Sequence, residues 1–287
     1  MGAISVLTLV HGRKRHLLNL LEGLKQSIRL PDEVVVVYMN EPTDYQLPSL
    51  PYPVRSFHVR SERTNLPLAE ARNQAAAQAT HGQLIFLDVD CIPEADLLTN
   101  YERALNQFTG LLMGDVHYLP AQAAASGWTF SQLRSRAVPH PARPAVRALV
   151  QPEDRYELFW SLSFGIHRSV FNRLGGFDTG YQGYGAEDTD LAFTARRQEV
   201  PFALCRARAY HQHHAVYRPP LPHLSDIVAN ARYFYQKWQR WPMEGWLQKF
   251  QEAGFIDWQA EGSHLKLLRH PRTDEIEAAY TNAPAGF

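Results

Sequence analysis

The run Val34-Val-Val-Val-Tyr38 restricts the fold more than any other feature of the chain. Four consecutive valines put β-branched side chains on both sides of an extended backbone, and a strand covered on both faces is what buries all of them. Residues 4–10 and 84–87 are similar short apolar runs. Between them the pattern becomes helical: Leu17, Leu18, Leu20, Leu21, Leu24 and Ile28 recur at helical spacing, and residues 68–79 form an alanine-rich helical stretch. Pro31-Asp32 ends the first helix, His81-Gly82 ends the second, and a weaker strand over 54–59 follows a proline-rich loop. Strands alternating with helices predict an α/β fold. The central sheet is mostly parallel and Rossmann-like, with right-handed crossovers and helices on both faces.

A length of 287 residues suits one large α/β domain with an appendage. The character of the chain changes from Leu221. Ile227, Ala231, Phe234 and Trp238 mark an amphipathic helix, followed by Trp241, Trp246, Phe250, Phe255 and Trp258. A catalytic domain over 1–218 and a helical, aromatic-rich extension over 219–287 are therefore expected. Lys plus Arg and Asp plus Glu both number 29, and there is no basic stripe, which argues against a nucleic-acid partner. Cys91 and Cys205 are too few for a disulfide scaffold or a cysteine-rich zinc site. Residues 4–10 are too short for a leader or a membrane span, so a cytoplasmic protein is expected.

In parallel sheets ligands bind beyond the carboxyl ends of the strands. Here those ends are residues 8–13, Asn40-Glu41 and Asp88-Val89-Asp90. Two carboxylates straight after a buried strand can share a divalent cation with a diphosphate; capping a turn is the plainer use of such a pair. A second group runs Gly175-Gly-Phe-Asp178 and then Gly183-Tyr-Gly-Ala-Glu-Asp188, with Asp190 close behind. The glycines allow tight turns near a ligand, and the acids open a helix whose dipole favours them. Capping accounts for one or two of these acids, and a carboxylate here can also act as a general base. Third comes Tyr210-His-Gln-His-His214, where an extended backbone puts His211 and His213 on one face and His214 on the other. The stretch 118–152, rich in Ala, Pro and Arg, reads as loops and short helices forming a lid.

In this order the motifs resemble a family 2-type glycosyltransferase of the GT-A fold over residues 3–218. The second half is similar to the galactosyltransferase-type motif of β-1,4-galactosyltransferases and bacterial chondroitin-type polymerases. The resemblance is carried by residues 5–10, Ala71-Arg72-Asn73, Phe86-Leu-Asp-Val-Asp90 as a DxD motif, and Phe164-Gly165 with Phe171. It continues through the two glycine-rich acidic motifs and Ala209-Tyr-His-Gln212. It implies inverting, Mn2+- or Mg2+-dependent transfer of a sugar from a nucleoside diphosphate, most simply UDP, to a saccharide, lipid-linked or peptide acceptor. Asp88 would meet the ribose or the metal-bound diphosphate and belong with the metal contacts, and Asp90 would ligate the metal. His211 would be the third metal contact, with His213 in reserve. Thr8, Val10 and Arg13 would line the nucleotide, Asn40 or Glu41 would lie near the base, and Arg72 near the ribose or diphosphate. Asp188 would be the catalytic base, with Glu187, Tyr184 and Gly185 on the acceptor. The ends Leu9-Val10-His11-Gly12 and Asn40-Glu41 depart from the family's usual pattern, and Tyr184 stands where Trp is common.

Two other readings fit parts of the sequence. His11-Gly12-Arg13-Lys14-Arg15 is a faint version of the phosphate-binding loop of a sugar nucleotidyltransferase. A non-catalytic carbohydrate-binding scaffold is the other, although it has no use for four clustered acids. The C-terminal segment is expected to pack on the catalytic domain, with Trp238 or Trp241 available to stack on sugar. A homodimer contact and a peripheral contact with the inner membrane face are its other readings.

Overall fold

The computed structural model describes residues 2–61, 65–125 and 127–282. Its first half runs β1 (Ile4–Val10), α1 (Lys14–Lys25), β2 (Glu33–Met39), β3 (Val54–Val59), α2 (Leu68–Gln78), β4 (Gln83–Leu87), β5 (Cys91–Pro93), α3 (Leu97–Leu105) and β6 (Leu111–Tyr118). It continues with α4 (Phe130–Arg136), β7 (Val138–Pro139), β8 (Val150–Pro152), β9 (Ser163–His167), α5 (Arg168–Leu174), α6 (Glu187–Arg197) and β10 (Phe202–His211). The C-terminal part holds β11 (Val216–Tyr217), α7 (Leu224–Trp238), α8 (Glu244–Glu252), β12 (Ile256–Trp258), β13 (Leu265–Leu267), α9 (Thr273–Ala279) and β14 (Tyr280–Thr281).

The main sheet has the order β3-β2-β1-β4-β9-β6-β10-β5, with β7 on β6 and β8 on β10. Strands β3, β2, β1 and β4 are mutually parallel. Strand β9 is antiparallel to both β4 and β6, and β10 is parallel to β6. Inserting one reversed strand therefore leaves β6 and β10 running with β4, so β1, β2, β4, β6 and β10 all end at one edge. That edge carries the site.

Side-chain alternation divides the core between the two faces of the sheet. Leu7, Leu9, Val35, Val37, Leu84 and Phe86 pack with residues of α2, α5 and α6. Val6, Val10, Val34, Val36, Ile85 and Leu87 pack on the other face with residues of α1 and α3. The valine run thus fills both layers, as its composition predicts, at about 1.5–3 kcal/mol for each fully buried aliphatic side chain.

Three expectations about local structure change. Helix α1 stops at Lys25, Ser27 Oγ donates to the Gly23 carbonyl, and Ile28 lies 76% exposed instead of extending the apolar stripe. Within 118–152, α4 carries a Thr129 capping box, while β7 and β8 tie that stretch to β6 and β10. The C-terminal part is not purely helical: β12–β13 and β11–β14 form two small antiparallel ribbons. It has its own core around Leu224, Ile227, Leu247, Phe250 and Trp258, and Phe234 joins Tyr181, Ala186 and Phe193 beside α6. Among the described residues no helix is long and apolar enough to cross a membrane.

Candidate active site

Asp90 follows β4, and His211 is the last residue of β10. The antiparallel pairing of β5 with β10 sets His211 opposite Cys91, next to Asp90, and the Gln212 N–H donates to the Asp90 carbonyl at 2.7 Å. Buried Gln212 is itself pinned by Asn19 and by the His16 carbonyl. Beyond Gln212 the chain leaves the sheet and returns His214 to Asp90, Nε2 lying 3.5 Å from Oδ2. Ligand atoms of Asp90, His211 and His214 all fall within 4.8 Å of one another, whereas His213 is not in the group. The pairing of His211 with His213 expected from strand alternation therefore gives way to His211 with His214, because alternation ends with the strand at His211.

Asp90 is 3% exposed. The Arg13 guanidinium contacts its Oδ2, His16 approaches its Oδ1 at 3.9 Å, and Oδ1 accepts no hydrogen bond among the described residues. A buried carboxylate oxygen without a donor is costly unless something else satisfies it. Burial, followed by the charges of neighbouring groups including Arg13, pushes His211 well below the ordinary imidazole range and His16 to about 4; His214 is lowered for the same first reason. Neutral imidazoles keep a lone pair free for a metal. The donor set fits a divalent cation, and its imidazole share suits Mn2+ better than Mg2+, which favours an all-oxygen shell.

The second centre is the N-terminus of α6, where three acids have three different surroundings. Glu187 is buried and salt-bridged to Arg72 at 2.9 Å, and that guanidinium also covers the Phe177 ring. Asp190 accepts from Tyr181, Lys237 and Trp238, a wholly structural set of partners. Among the described residues Asp188 has neither a salt-bridged cation nor a phenol; its carboxylate accepts the Thr189 N–H at 2.7 Å and the Ser161 N–H. Burial and then the charge of Glu187 push the Asp188 carboxyl up to about 6, against the pull of Arg72. Ala186, at φ 75°, provides no side-chain cap, and of the three acids Asp188 alone accepts a first-turn N–H, that of Thr189.

The loop before α6 is held by α7. Asn230, 3% exposed, donates to the carbonyls of Gln182 and Gly185 and accepts from the Gln182 N–H. A Cβ on Gly183 would collide with the Asp226 carboxylate and one on Gly185 with the Met243 sulfur, so the loop closes this tightly only with glycine at both places. Tyr184 stands within electrostatic reach of both centres. Burial and the charges of Glu187, Asp188 and Asp88 raise its hydroxyl, while Arg13, which contacts Asp90, pulls the other way.

Other residues named from the sequence have varied surroundings. Asp88 accepts from the Val89 N–H at the mouth of β4. Thr8 and Val10 are buried in β1, so neither side chain lines an open surface. Asn40, at φ 52°, accepts from the Ser61 N–H as a turn residue. Glu41 accepts from Tyr45 and the Gly12 N–H, which hold its carboxyl below the usual range, and His11 lies 3.7 Å away. Arg72 is buried and paired with Glu187 at the start of α6.

Sequence reasoning missed His16, Tyr118 and Arg143, and it set His214 on the face away from His211. Tyr118 ends β6 and stacks on His211 at 4.9 Å. Arg143 lies 3.3 Å over Trp160, donates to the Leu158 carbonyl and feels the Asp188 charge; burial lowers it to about 10. The only trace of Arg143 was the arginine content of the stretch between β7 and β8. His16 sits one helical turn beyond Arg13, and that spacing was the available signal.

Comparison with known proteins agrees with this geometry. Residues 5–118 match the glycosyl transferase family 2 model, and residues 144–219 match the model for the N-terminal domain of galactosyltransferase. The first span carries Asp88 and Asp90, the second Asp188, His211 and His214. No curated protein matches the chain. Among solved structures, GalNAc-T7, crystallised with UDP, GalNAc and Mn2+, has a TM-score of 0.55 at 16% identity, covering 75% of this chain and 44% of that one. Residues 1–349 of TarS from S. aureus give 0.53 at 15% identity, covering 80% and 64%. The same TarS piece with UDP-GlcNAc gives 0.51 at 14% identity, covering 74% and 59%. The chain thus spans less than two thirds of the length of these structures. The fold is the GT-A glycosyltransferase fold, as the sequence resemblance implied.

Proposed function

We propose that the protein is a metal-dependent, inverting glycosyltransferase that moves a sugar from a nucleoside diphosphate to an acceptor hydroxyl. Residues 1–218 carry the reaction, and residues 219–287 buttress it. The carrying observation is the pairing, within electrostatic reach of Tyr184, of a cation-ready Asp90–His211–His214 group and a carboxyl raised by its surroundings. UDP is the favoured nucleotide, in line with the UDP-bound GalNAc-T7 and the UDP-GlcNAc-bound TarS structures.

Asp90, His211 and His214 hold Mn2+, with Asp88 at the mouth of the same strand against the diphosphate or ribose. When bound, the metal supplies positive charge to the departing diphosphate. Arg13, at the start of α1, adds a second cation on that side, and His11, Glu41 and Tyr45 form the wall nearest the base. Asp188, ionised at neutral pH, accepts the proton of the acceptor hydroxyl as that oxygen bonds to the anomeric carbon. The bond from that carbon to the diphosphate breaks on the opposite face, so configuration inverts. Glu187, fixed by Arg72, keeps Asp188 basic and faces acceptor hydroxyls.

The test is calorimetric titration with a panel of UDP- and GDP-sugars, first with Mn2+ and then with chelator. One uridine diphosphosugar is expected to bind with Mn2+ and to lose that binding on chelation. Absence of binding across the panel under both conditions would overturn the proposal.

A further inference from the structure

The C-terminal part has four tryptophans with very different settings. Trp238 donates to Asp190, Trp241 is buried and donates to the Gln259 and Gly262 carbonyls, and Trp258 is buried in the same core. These settings remove Trp238 and Trp241 as sugar platforms. Trp246 differs. It stands in the first turn of α8, only partly buried, stacked on Tyr184 with ring centroids 5.7 Å apart and planes 28° apart. His223, in the turn before α7, packs on Tyr184 from 4.9 Å.

His223, Tyr184 and Trp246 therefore form one contiguous aromatic strip that begins four residues before Asp188. Tyr184 is 41% exposed, the only exposed large hydrophobic side chain in the glycine-rich loop. Neither its hydroxyl nor the Trp246 indole N–H is hydrogen-bonded among the described residues. The strip is held from below: Asp226 accepts the Tyr184 N–H and pairs with Asn65 at 2.7 Å, and Asn230 fixes the loop carbonyls. A rigid apolar surface with spare hydrogen-bond donors, flanked by carboxylates, matches the amphipathic surface of a sugar ring. The C–H face of the ring packs on the aromatic rings while its hydroxyls meet the polar groups. A lipid chain would leave both donors unused. A peptide backbone would need an exposed strand edge or pockets, and the strip offers neither.

We infer that Trp246, stacked on Tyr184, extends the acceptor site onto α8, and that the acceptor is a saccharide of at least two units. This rests on Asp188 being the base, since Asp188 fixes where the reacting hydroxyl lies. The test uses the full chain with Mn2+ and UDP, probed on an array of linear oligosaccharides of neutral hexoses, N-acetylhexosamines and hexuronates. Wild type, Trp246→Ala and Trp246→Phe are compared, with calorimetric UDP binding as the control for folding.

At least one oligosaccharide should bind, better than its monosaccharide. Trp246→Ala should weaken that binding about tenfold, and Trp246→Phe should retain most of it. UDP affinity should be the same in all three proteins. Oligosaccharide binding indifferent to Trp246→Ala would overturn the inference. So would intact UDP binding without any saccharide bound, including the case where serine peptides or polyprenyl-phosphate vesicles bind instead. Failure of the wild type to bind UDP would remove the glycosyltransferase reading, and the inference with it.

Discussion

Around Asp90 the neighbours are Arg13, His16 and His214; around Asp188 the nearest charge is Glu187, with Arg72 beyond it. Both acids belong to short acidic motifs, and their hydrogen bonding differs: Asp90 Oδ1 accepts none among the described residues, while Asp188 accepts from the Thr189 and Ser161 N–H groups. The field each feels also differs in sign. A carboxylate facing a guanidinium and neutral imidazoles can share a metal, while one beside another carboxylate becomes more basic and can take a proton. The comparison teaches that the surroundings divide the work between the two acids, since the residue type is the same.

The largest effect should come from Asp188→Asn. UDP release from a sugar donor, to water or to a saccharide, should fall about 10²–10⁴-fold in a stopped assay. The wild-type rate should decline as pH falls through about 6, where Asp188 protonates, and the variant's residual rate should lack that limb. An unchanged rate would dissolve the contrast. Next, Asp90→Ala should weaken Mn2+ binding, followed by electron paramagnetic resonance, by more than about 100-fold, because loss of even an outer partner of a metal ligand costs about 10–100-fold.

A third comparison sharpens the metal side. His214→Ala should weaken Mn2+ affinity about 10-fold or more, and His213→Ala should leave it nearly unchanged. The reverse order would restore the strand-alternation reading. On the base side, Arg72→Met leaves Glu187 buried without its cation and should destabilise the fold by about 3 kcal/mol in urea melts. It should also move the acid limb of the rate profile to higher pH, because Arg72 pulls Asp188 downward. The smallest effect is on melting temperature. Asp188 is raised in the folded state, so its charge disfavours folding above about pH 6, and that penalty fades as pH falls toward the ordinary value of 3.8. Asp188→Asn should accordingly melt higher than wild type at pH 8, with the gain disappearing by pH 4.

Most of the sheet was legible because its strands are apolar on both faces. Val34–Val37, Leu84–Leu87 and the acids after them need no tertiary information to be read. Strand β9 was harder, since its reversal is a matter of topology and Ser163–His167 carries the same apolar character as a parallel strand. The His211 and His214 pairing was illegible for a local reason: a period of two holds only while the strand lasts, and here it ends at His211. Arg72 was read as a phosphate contact because sequence does not reveal that Glu187, 115 positions away, takes its guanidinium. Trp246 stood in the sequence as one of several C-terminal tryptophans, and only its partner Tyr184 distinguishes it.

The division of labour between the two acids is tested most directly by calorimetric titration of UDP with Mn2+ into three proteins: wild type, Asp90→Asn and Asp188→Asn. Wild type and Asp188→Asn should bind UDP with the same affinity, and Asp90→Asn should behave like the wild type in chelator. Equal affinity in all three proteins, or loss of binding in Asp188→Asn with Asp90→Asn intact, would contradict the account.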